Sequence, residues 1–216
     1  MQRDRRVRRF VSQLVDSPVP HGFTNPYGSR EAAHNLLVFL SERSHSESTV
    51  LLVGEAPGFR GAALSGVPFA SIATLTDDWD DPWRRFGPES NFLAPSCAPY
   101  RKEATATMVW TTLAQLFPFL SLPLTWNAVP FHPHIPDHLS SNMPLRTRSL
   151  DLGRKWLDQL LDLFPSVRPI AVGVSACRAL THVGIVHDNV RHPSHGGRRD
   201  FVVGLQRIRE QLLQND

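Results

Sequence analysis

The chain has 216 residues, with 23 Lys plus Arg against 20 Asp plus Glu and 41% hydrophobic residues. These values suit one globular domain over residues 1–216 with a substantial core, and they exclude disordered, collagen-like and coiled-coil chains. No apolar run reaches the roughly 18 residues that a membrane span needs, and the N-terminus lacks the apolar core of a secretory signal. We therefore expect a soluble, cytoplasmic, monomeric protein without a membrane partner.

The charges are distributed unevenly along the chain. The first nine residues carry five Arg and one Asp, while the formal net charge of the whole chain is +3. Residues 1–20 are therefore expected to form either a basic arm that binds phosphate backbones or the solvated face of a helix, and charge alone does not separate the two. Cys97 and Cys177 are far apart without a Cys-x-x-Cys pair, which predicts free thiols.

Helical and strand patterns alternate along the chain. In chain order, the first half predicts a helix over 30–43 behind the N-cap Ser29, a strand over 49–53, a turn over 54–58, an irregular stretch over 77–100, a helix over 103–117 and a strand over 124–129. The second half predicts a Pro-broken loop over 132–148, a helix over 149–164, a strand over 170–174, a helix over 176–183, a strand over 189–191 and a helix over 201–213. This order predicts an α/β fold: a central, mainly parallel four-stranded sheet with helices on both faces.

Polar residues follow three of the predicted strands. The three segments are Gly54-Glu55-Ala56-Pro57-Gly58, Asn127 with the residues after it, and Arg191-His192-Pro193-Ser194-His195-Gly196-Gly197. Functional groups in such sheets lie on the loops at the carboxyl ends of the strands, so the three segments are expected to meet at one edge. A carboxylate, an amide and an imidazole there can polarise water, recognise a polar ligand edge and stabilise a developing anion.

These segments, with Gly66-Val67-Pro68-Phe69-Ala70-Ser71 between the first two, resemble the uracil-DNA glycosylase superfamily in type and order. Gly54-Glu55-Ala56-Pro57-Gly58 is similar to the water-activating motif of the branch typified by thermophile iron-sulfur glycosylases. The segment around Phe69 resembles that family's Gly-x-Pro-Phe, whose Phe stacks on the flipped base. Asn127 resembles the uracil-reading Asn, and His192-Pro193-Ser194 resembles the motif of the loop that supports catalysis and enters DNA.

The resemblance implies a DNA glycosylase of base excision repair. Such an enzyme flips a deaminated base, foremost uracil, out of DNA and hydrolyses its N-glycosidic bond to leave an abasic site. The implied catalytic residues are Glu55 and His192. The implied substrate-binding residues are Gly54, Ala56, Pro57, Gly58, Phe69, Asn127 and Ser194, and the implied DNA-binding residues are His195, Gly196, Gly197, Arg198 and Arg199.

The chain departs from the thermophile-type branch in two respects. Members of that branch hold a [4Fe-4S] cluster with four cysteines, and two separated cysteines cannot do so. Residues 59–65 also lack the acidic pair that often follows the first motif. We therefore expect a cluster-free relative that needs no iron-sulfur cluster and no divalent metal.

Other functions also fit the sequence. The same fold can act mainly on hypoxanthine, xanthine or mismatched bases, or the chain can be a non-catalytic DNA-binding relative. His132 and His134, with Asp137 and His138 nearby, suggest a metal site, although a Pro-broken loop lacks the fixed spacing of helical ligands. Taken singly, each candidate residue also fits an ordinary structural role, such as a helix-capping carboxylate at Glu55.

Overall fold

The computed structural model describes residues 2–45, 48–76, 91–117 and 123–214. The helices are α1 (Gln2–Val15), α2 (Arg30–Ser44), α3 (Ala62–Ser65), α4 (Ile72–Thr76), α5 (Ala104–Leu116), α6 (Thr147–Leu163), α7 (Val174–Val183) and α8 (Arg198–Gln214). The strands are β1 (Phe23–Thr24), β2 (Val50–Gly54), β3 (Leu124–Asn127), β4 (His132–Pro133), β5 (Arg168–Val172) and β6 (Asp188–Val190).

Four of the strands form a parallel sheet with the order β3-β2-β5-β6. The central strand β2 is buried at every position, as its continuous apolar run predicts for a parallel strand covered on both faces. Strands β1 and β4 form a separate antiparallel pair. The predicted α/β fold, with a four-stranded parallel sheet flanked by helices, is confirmed.

Two strand ends differ from the predictions. The predicted strand over 124–129 ends at Asn127, which forms the last register pair of β3 with β2, at Gly54. The predicted strand over 170–174 covers Arg168–Val172 instead. It ends there because Gly173 has a φ of 88°, which no strand residue adopts.

The N-terminal residues form an amphipathic helix rather than an arm. Helix α1 buries Val7, Phe10, Val11 and Leu14, and it contacts α2 and α6. The Phe10 ring lies 5.6 Å from the Trp126 ring, measured between centroids, so α1 is anchored to the core beside β3. Residues 2–15 of this segment are therefore helical, and the binding of phosphate backbones by its arginines stays a prediction.

The loops and the cysteines largely agree with the predictions. Residues 91–100 have neither helix nor strand, as expected, and residues 77–90 of that predicted irregular stretch lie outside the described residues. The loop predicted over 132–148 contains the short strand β4, and α6 begins at Thr147. Cys97 is exposed and Cys177 half-buried, and both are free thiols as predicted. Of the described helices, none combines the length and the apolar character that crossing a bilayer requires.

Candidate active site

A cavity of about 600 Å³ opens at the carboxyl ends of the parallel strands. Ligand pockets in proteins commonly measure about 300–1,000 Å³. Strands β2 and β3 end side by side at the register partners Gly54 and Asn127. Glu55, Phe69 and His192 line the same cavity. The structure thus brings together the carboxylate, the aromatic ring, the amide and the imidazole singled out in the sequence.

Gly54 allows two of these groups to approach the backbone closely. A Cβ atom at this position would lie 2.8 Å from Asn127 Oδ1 and 2.9 Å from Phe69 Cζ. Both distances are shorter than those that real Cβ atoms show. The Phe69 ring and the Asn127 amide therefore occupy the space on either side of the Gly54 Cα where a Cβ would lie. The glycine is required here by close packing of functional side chains.

The loop after β2 holds Glu55 through its backbone carbonyls. The Gly54 and Glu55 carbonyls accept hydrogen bonds from residues 128 and 129, at 2.8 and 3.0 Å, and the Pro57 carbonyl faces the Nδ1 atom of His132 at 2.8 Å. Gly58 closes the loop, because its carbonyl accepts from two N–H groups at the start of α3. Ala56, Pro57 and Gly58 also line the cavity.

The Glu55 side chain is half-buried and enters the cavity from this loop. One carboxylate oxygen, Oε1, accepts a hydrogen bond from the Leu145 backbone N–H at 3.2 Å. This contact orients the side chain while leaving acceptor capacity on the carboxylate, which has about four lone-pair sites. Glu55 can therefore orient a water molecule in the cavity.

Phe69 is held in an uncommon backbone conformation. Its φ is 59°, a left-handed value that is rare for aromatic residues and that persists only where neighbours enforce it. The Thr125 hydroxyl donates to the Pro68 carbonyl at 2.9 Å, and the Ser65 hydroxyl donates to the Ala70 carbonyl at 2.7 Å. These hydrogen bonds fix the backbone on both sides of Phe69, whose ring lines the cavity.

Asn127 carries an unused hydrogen-bond donor. Its side chain is 4% exposed, and its Nδ2 atom is buried with no hydrogen-bond partner among the described residues. An unpaired buried amide costs about 1–3 kcal/mol, so such groups in native proteins commonly have a ligand-binding or catalytic role. Asn127 lines the cavity, where a ligand carbonyl would satisfy this donor.

His192 has a defined tautomer. The Ser194 backbone N–H, which can only donate, points to Nδ1 of His192 at 3.2 Å, and the Ser194 hydroxyl lies 2.7 Å from the same atom. Nδ1 is therefore the acceptor, and the proton of the neutral ring is on Nε2. No described residue is hydrogen-bonded to Nε2, so this N–H is available to a ligand.

Burial lowers the pKa of His192 below its usual value of 6.5, and the nearby charges act in both directions. The Glu103 carboxylate opposes the effect of burial, whereas Arg191 and His195 add to it. At neutral pH the ring is consequently neutral and offers an N–H donor without a positive charge. Gly173 leaves space for His192, because a Cβ at this position would lie 2.9 Å from the His192 Cβ.

Residues 195–199 lie beside the cavity, but they do not form one continuous loop. His195, with a φ of 52°, lines the cavity, and Gly196 follows with a φ of 77°. Gly197 packs against the loop backbone, since a Cβ there would lie 2.1 Å from the His192 carbonyl oxygen. Arg198 and Arg199, expected on the loop, are instead the first two residues of α8 and are exposed.

His132 and His134 have partners that leave little room for a metal ion. Nδ1 and Nε2 of His132 face the carbonyls of Pro57 and Leu139, at 2.8 and 3.1 Å. Nε2 of His134 lies 2.9 Å from the Thr24 hydroxyl, and its Nδ1 lies 2.9 Å from the Ile135 carbonyl. Across the described ranges, no group of three or more His, Cys, Asp or Glu is arranged to hold a metal. His132 instead supports the loop that carries Glu55.

Glu103, Asn142, Gly173 and Arg191 also line the cavity. Of these, Asn142 and Gly173 were not identified from the sequence. Glu103 caps α5 by accepting from the N–H groups of residues 105 and 106, at 2.9 and 2.7 Å. Gly173 could have been found as the glycine that follows a predicted strand, but Asn142 lies in a long loop without a motif.

Comparison with a solved structure shows that this α/β fold is uracil-DNA glycosylase-like. The crystal structure of wild-type Pedobacter heparinus SMUG2, a member of that superfamily, superposes on this chain with a TM-score of 0.64. The alignment covers 98% of this chain and 99% of that one, at 13% sequence identity. No protein-family model matches the sequence, and no curated protein matches it.

Proposed function

We propose that this chain is a DNA glycosylase that rotates a deaminated base, foremost uracil, into the cavity and hydrolyses its N-glycosidic bond. One observation carries the proposal: the Phe69 ring and the Asn127 amide, whose Nδ2 has no hydrogen-bond partner in the described part of the chain, meet over Gly54 in the cavity that also holds Glu55 and His192. The likeness of the fold to SMUG2 supports the same class of activity.

The first step is recognition of the flipped base. Unstacking a base costs a few kcal/mol, and stacking on an aromatic side chain such as Phe69 returns about 1–3 kcal/mol. The Asn127 amide matches uracil, because its NH₂ donates to O4 and its carbonyl accepts from N3–H. Cytosine reverses this pattern and leaves groups unpaired, at about 1–3 kcal/mol each.

The second step is cleavage of the glycosidic bond. As the bond to C1′ breaks, positive charge develops on the sugar and negative charge on uracil O2. Glu55 stabilises the sugar cation and orients the attacking water, following the logic of glycoside hydrolysis. The neutral His192 ring donates its Nε2–H to O2, a role like that of an oxyanion-hole donor, which contributes about 3 kcal/mol.

The DNA backbone would be held beside the cavity. Exposed Arg198 and Arg199 lie at the N-terminus of α8, where backbone N–H groups and the helix dipole also favour anions such as phosphates. The neighbouring His195, Gly196 and Gly197 would contact the strand as it enters the cavity. Such contacts position the DNA but do not read its sequence.

The motif Gly54-Glu55-Ala56-Pro57-Gly58 supports placement of the chain beside the thermophile-type branch, as a relative without the iron-sulfur cluster. We propose that it works as a monomer and that its hydrolysis needs no metal or organic cofactor. The His132 and His134 contacts described above are consistent with a structural role for that loop.

The decisive experiment is base release from synthetic DNA. Single- and double-stranded oligonucleotides containing uracil, hypoxanthine or xanthine are incubated with the protein, and abasic sites are revealed by alkaline cleavage. Wild-type protein should release uracil. Glu55→Gln should bind the same DNA, because the amide is nearly isosteric with the carboxylate. Its rate of base release should fall steeply, because the amide lacks the negative charge. Release of only hypoxanthine or xanthine would assign the alternative substrates, and binding without release by the wild type would indicate a non-catalytic relative.

Substitution of Asn127 tests the choice of base separately. Asn127→Ala should lose uracil release, whereas Asn127→Asp should shift relative preference toward cytosine, because a protonated carboxyl can donate to N3 and accept from the amine. The measurement is the ratio of uracil to cytosine release from matched single strands. An unchanged ratio in both variants would show that another group reads the base.

A further inference from the structure

An aromatic and arginine cluster lies at the mouth of the cavity, outside the groups assigned to base recognition and catalysis. It consists of Phe59, Arg60 and Tyr100. The rings of Phe59 and Tyr100 pack edge to face, with centroids 5.4 Å apart and planes at 77°. The Arg60 guanidinium carbon lies 5.2 Å from the Phe59 centroid and 5.0 Å from the Tyr100 centroid. We call this the rim cluster.

The position of the rim cluster is set by the loop that carries Glu55. Phe59 directly follows Gly58, and its backbone N–H donates to Asn142 Oδ1 at 3.2 Å. Tyr100 comes from the segment that precedes α5. Phe59 and Arg60 both line the cavity, and Tyr100 packs against both of them.

The rim cluster is not an extension of the hydrophobic core. In the described part of the chain, neither Phe59 nor Tyr100 belongs to the core cluster or to the half-buried residues packed against it. Both rings are half-buried, and Arg60 is exposed. Two aromatic rings and a guanidinium that do not fill the core, placed at the mouth of a ligand cavity, have the composition of a stacking site for a nucleobase.

We propose that the rim cluster binds the base next to the flipped nucleotide on the same DNA strand, when that base is unpaired. The proposal rests on the proposed glycosylase function. A flat base would stack on one of the two rings, since their planes are at 77° to each other, and Arg60 would contribute a planar cation close to the adjoining phosphate. Arg191 lines the same cavity, so the strand meets a second guanidinium there.

This assignment specifies the substrate class as single-stranded or locally unpaired DNA. In a duplex the neighbouring base is stacked and paired, and it reaches the rim cluster only after further unpairing. In a single strand the base is free to stack at little cost. The protein should therefore bind a uracil-containing single strand more tightly than the duplex of the same sequence, and the difference should depend on the rim cluster.

The test measures Kd for single strands that carry the non-hydrolysable analogue 2′-fluoro-2′-deoxyuridine. Either the 5′ or the 3′ neighbouring base is replaced by an abasic residue. For the wild-type protein, loss of the stacked neighbour should raise Kd by about 5- to 150-fold, which is the ratio that corresponds to about 1–3 kcal/mol for one stacked base. The double variant Phe59→Ala with Tyr100→Ala should bind the intact strand as weakly as the wild type binds the abasic one.

The double variant should also be insensitive to removal of the neighbouring base. Phe59→Leu with Tyr100→Leu repeats the test with apolar packing retained and the aromatic faces removed. Val186→Ala, at a residue that is 91% exposed, and Arg207→Ala, on an exposed turn of α8, serve as controls and should keep the wild-type sensitivity.

The possible results separate this proposal from the proposed function. Equal affinity of the wild type for intact and abasic-neighbour strands overturns the stacking assignment, even if uracil is released normally. The stacking assignment is also overturned if removal of the neighbouring base still raises Kd in both double variants, since another surface then contacts that base. In a third case, the wild type releases no base, but its Kd depends on the neighbouring base and that dependence is lost in the rim-cluster variants. The stacking site then stands and the glycosylase assignment fails.

Discussion

Replacing Gly54 by alanine places a methyl group between the Phe69 ring and the Asn127 amide. The added carbon would lie 2.9 Å from Phe69 Cζ and 2.8 Å from Asn127 Oδ1, whereas ordinary van der Waals contact begins at 3.4 Å. Each group must therefore retreat by about 0.5 Å or more, and both cannot keep their present places. The substitution thus tests whether the close approach of these two side chains matters for function.

The expected effects follow from this displacement. Overpacking of this kind costs about 1–3 kcal/mol of folding free energy. For a chain of this size that lowers Tm by about 2–12 °C. A misplacement of about 1 Å at a reacting centre can cost about 100-fold in rate, so kcat/KM for uracil release should fall by about 10- to 100-fold. The assay is single-turnover base release from a single strand, well below the Tm of the variant.

Two further variants make the result interpretable. Gly28→Ala is the matched control, because no atom of the described residues lies within 4 Å of a Cβ at that position, and both stability and any base release should be unchanged. Gly54→Ala combined with Phe69→Leu should recover part of the lost stability, since the shorter side chain removes the contact with Cζ. If Gly54→Ala has wild-type kcat/KM and Tm, the close-packing explanation of this glycine is refuted.

Three further predictions address the imidazole, the DNA contacts and the cofactor. The pKa of His192, followed by NMR, should lie below 6.5, rise in Arg191→Ala and fall further in Glu103→Gln, and an unchanged pKa in both variants would contradict the assigned charges. Because the unfolded state binds this proton at a higher pH than the folded state, the stability of the protein should decrease as pH falls below 6.5. Arg198→Ala with Arg199→Ala should flatten the dependence of log K on log salt by roughly 0.9 per residue on duplex DNA without changing which base is released, and an unchanged slope would place the phosphate contacts elsewhere. EDTA should leave base release unaffected. Stoichiometric iron or zinc bound to the purified protein, together with loss of activity when that metal is removed, would contradict the metal-free mechanism.

The sequence by itself determined the chain order of the four sheet strands and of the longer helices from α2 onward, and it singled out the polar residues that follow the strands. The buried run at β2 and the apolar spacing of α2 and α6 are local patterns, and they report which face of each element is covered. Their alternation was sufficient to predict a parallel sheet with Glu55, Asn127 and His192 at its carboxyl edge. Element boundaries were less accurate, because strand ends such as Asn127 depend on hydrogen bonds to another strand.

Only the tertiary structure decided how these groups are arranged and which other residues join them. The contact distances over Gly54, and the lack of a partner for Asn127 Nδ2 among the described residues, depend on atoms from separate segments. The same holds for Tyr100, which meets Phe59 across about forty residues of sequence, and for the N-terminal arginines, whose helix could be distinguished from an arm only by its packing. Sequence periodicity records the burial of one element at a time, whereas a binding site is formed by contacts between elements.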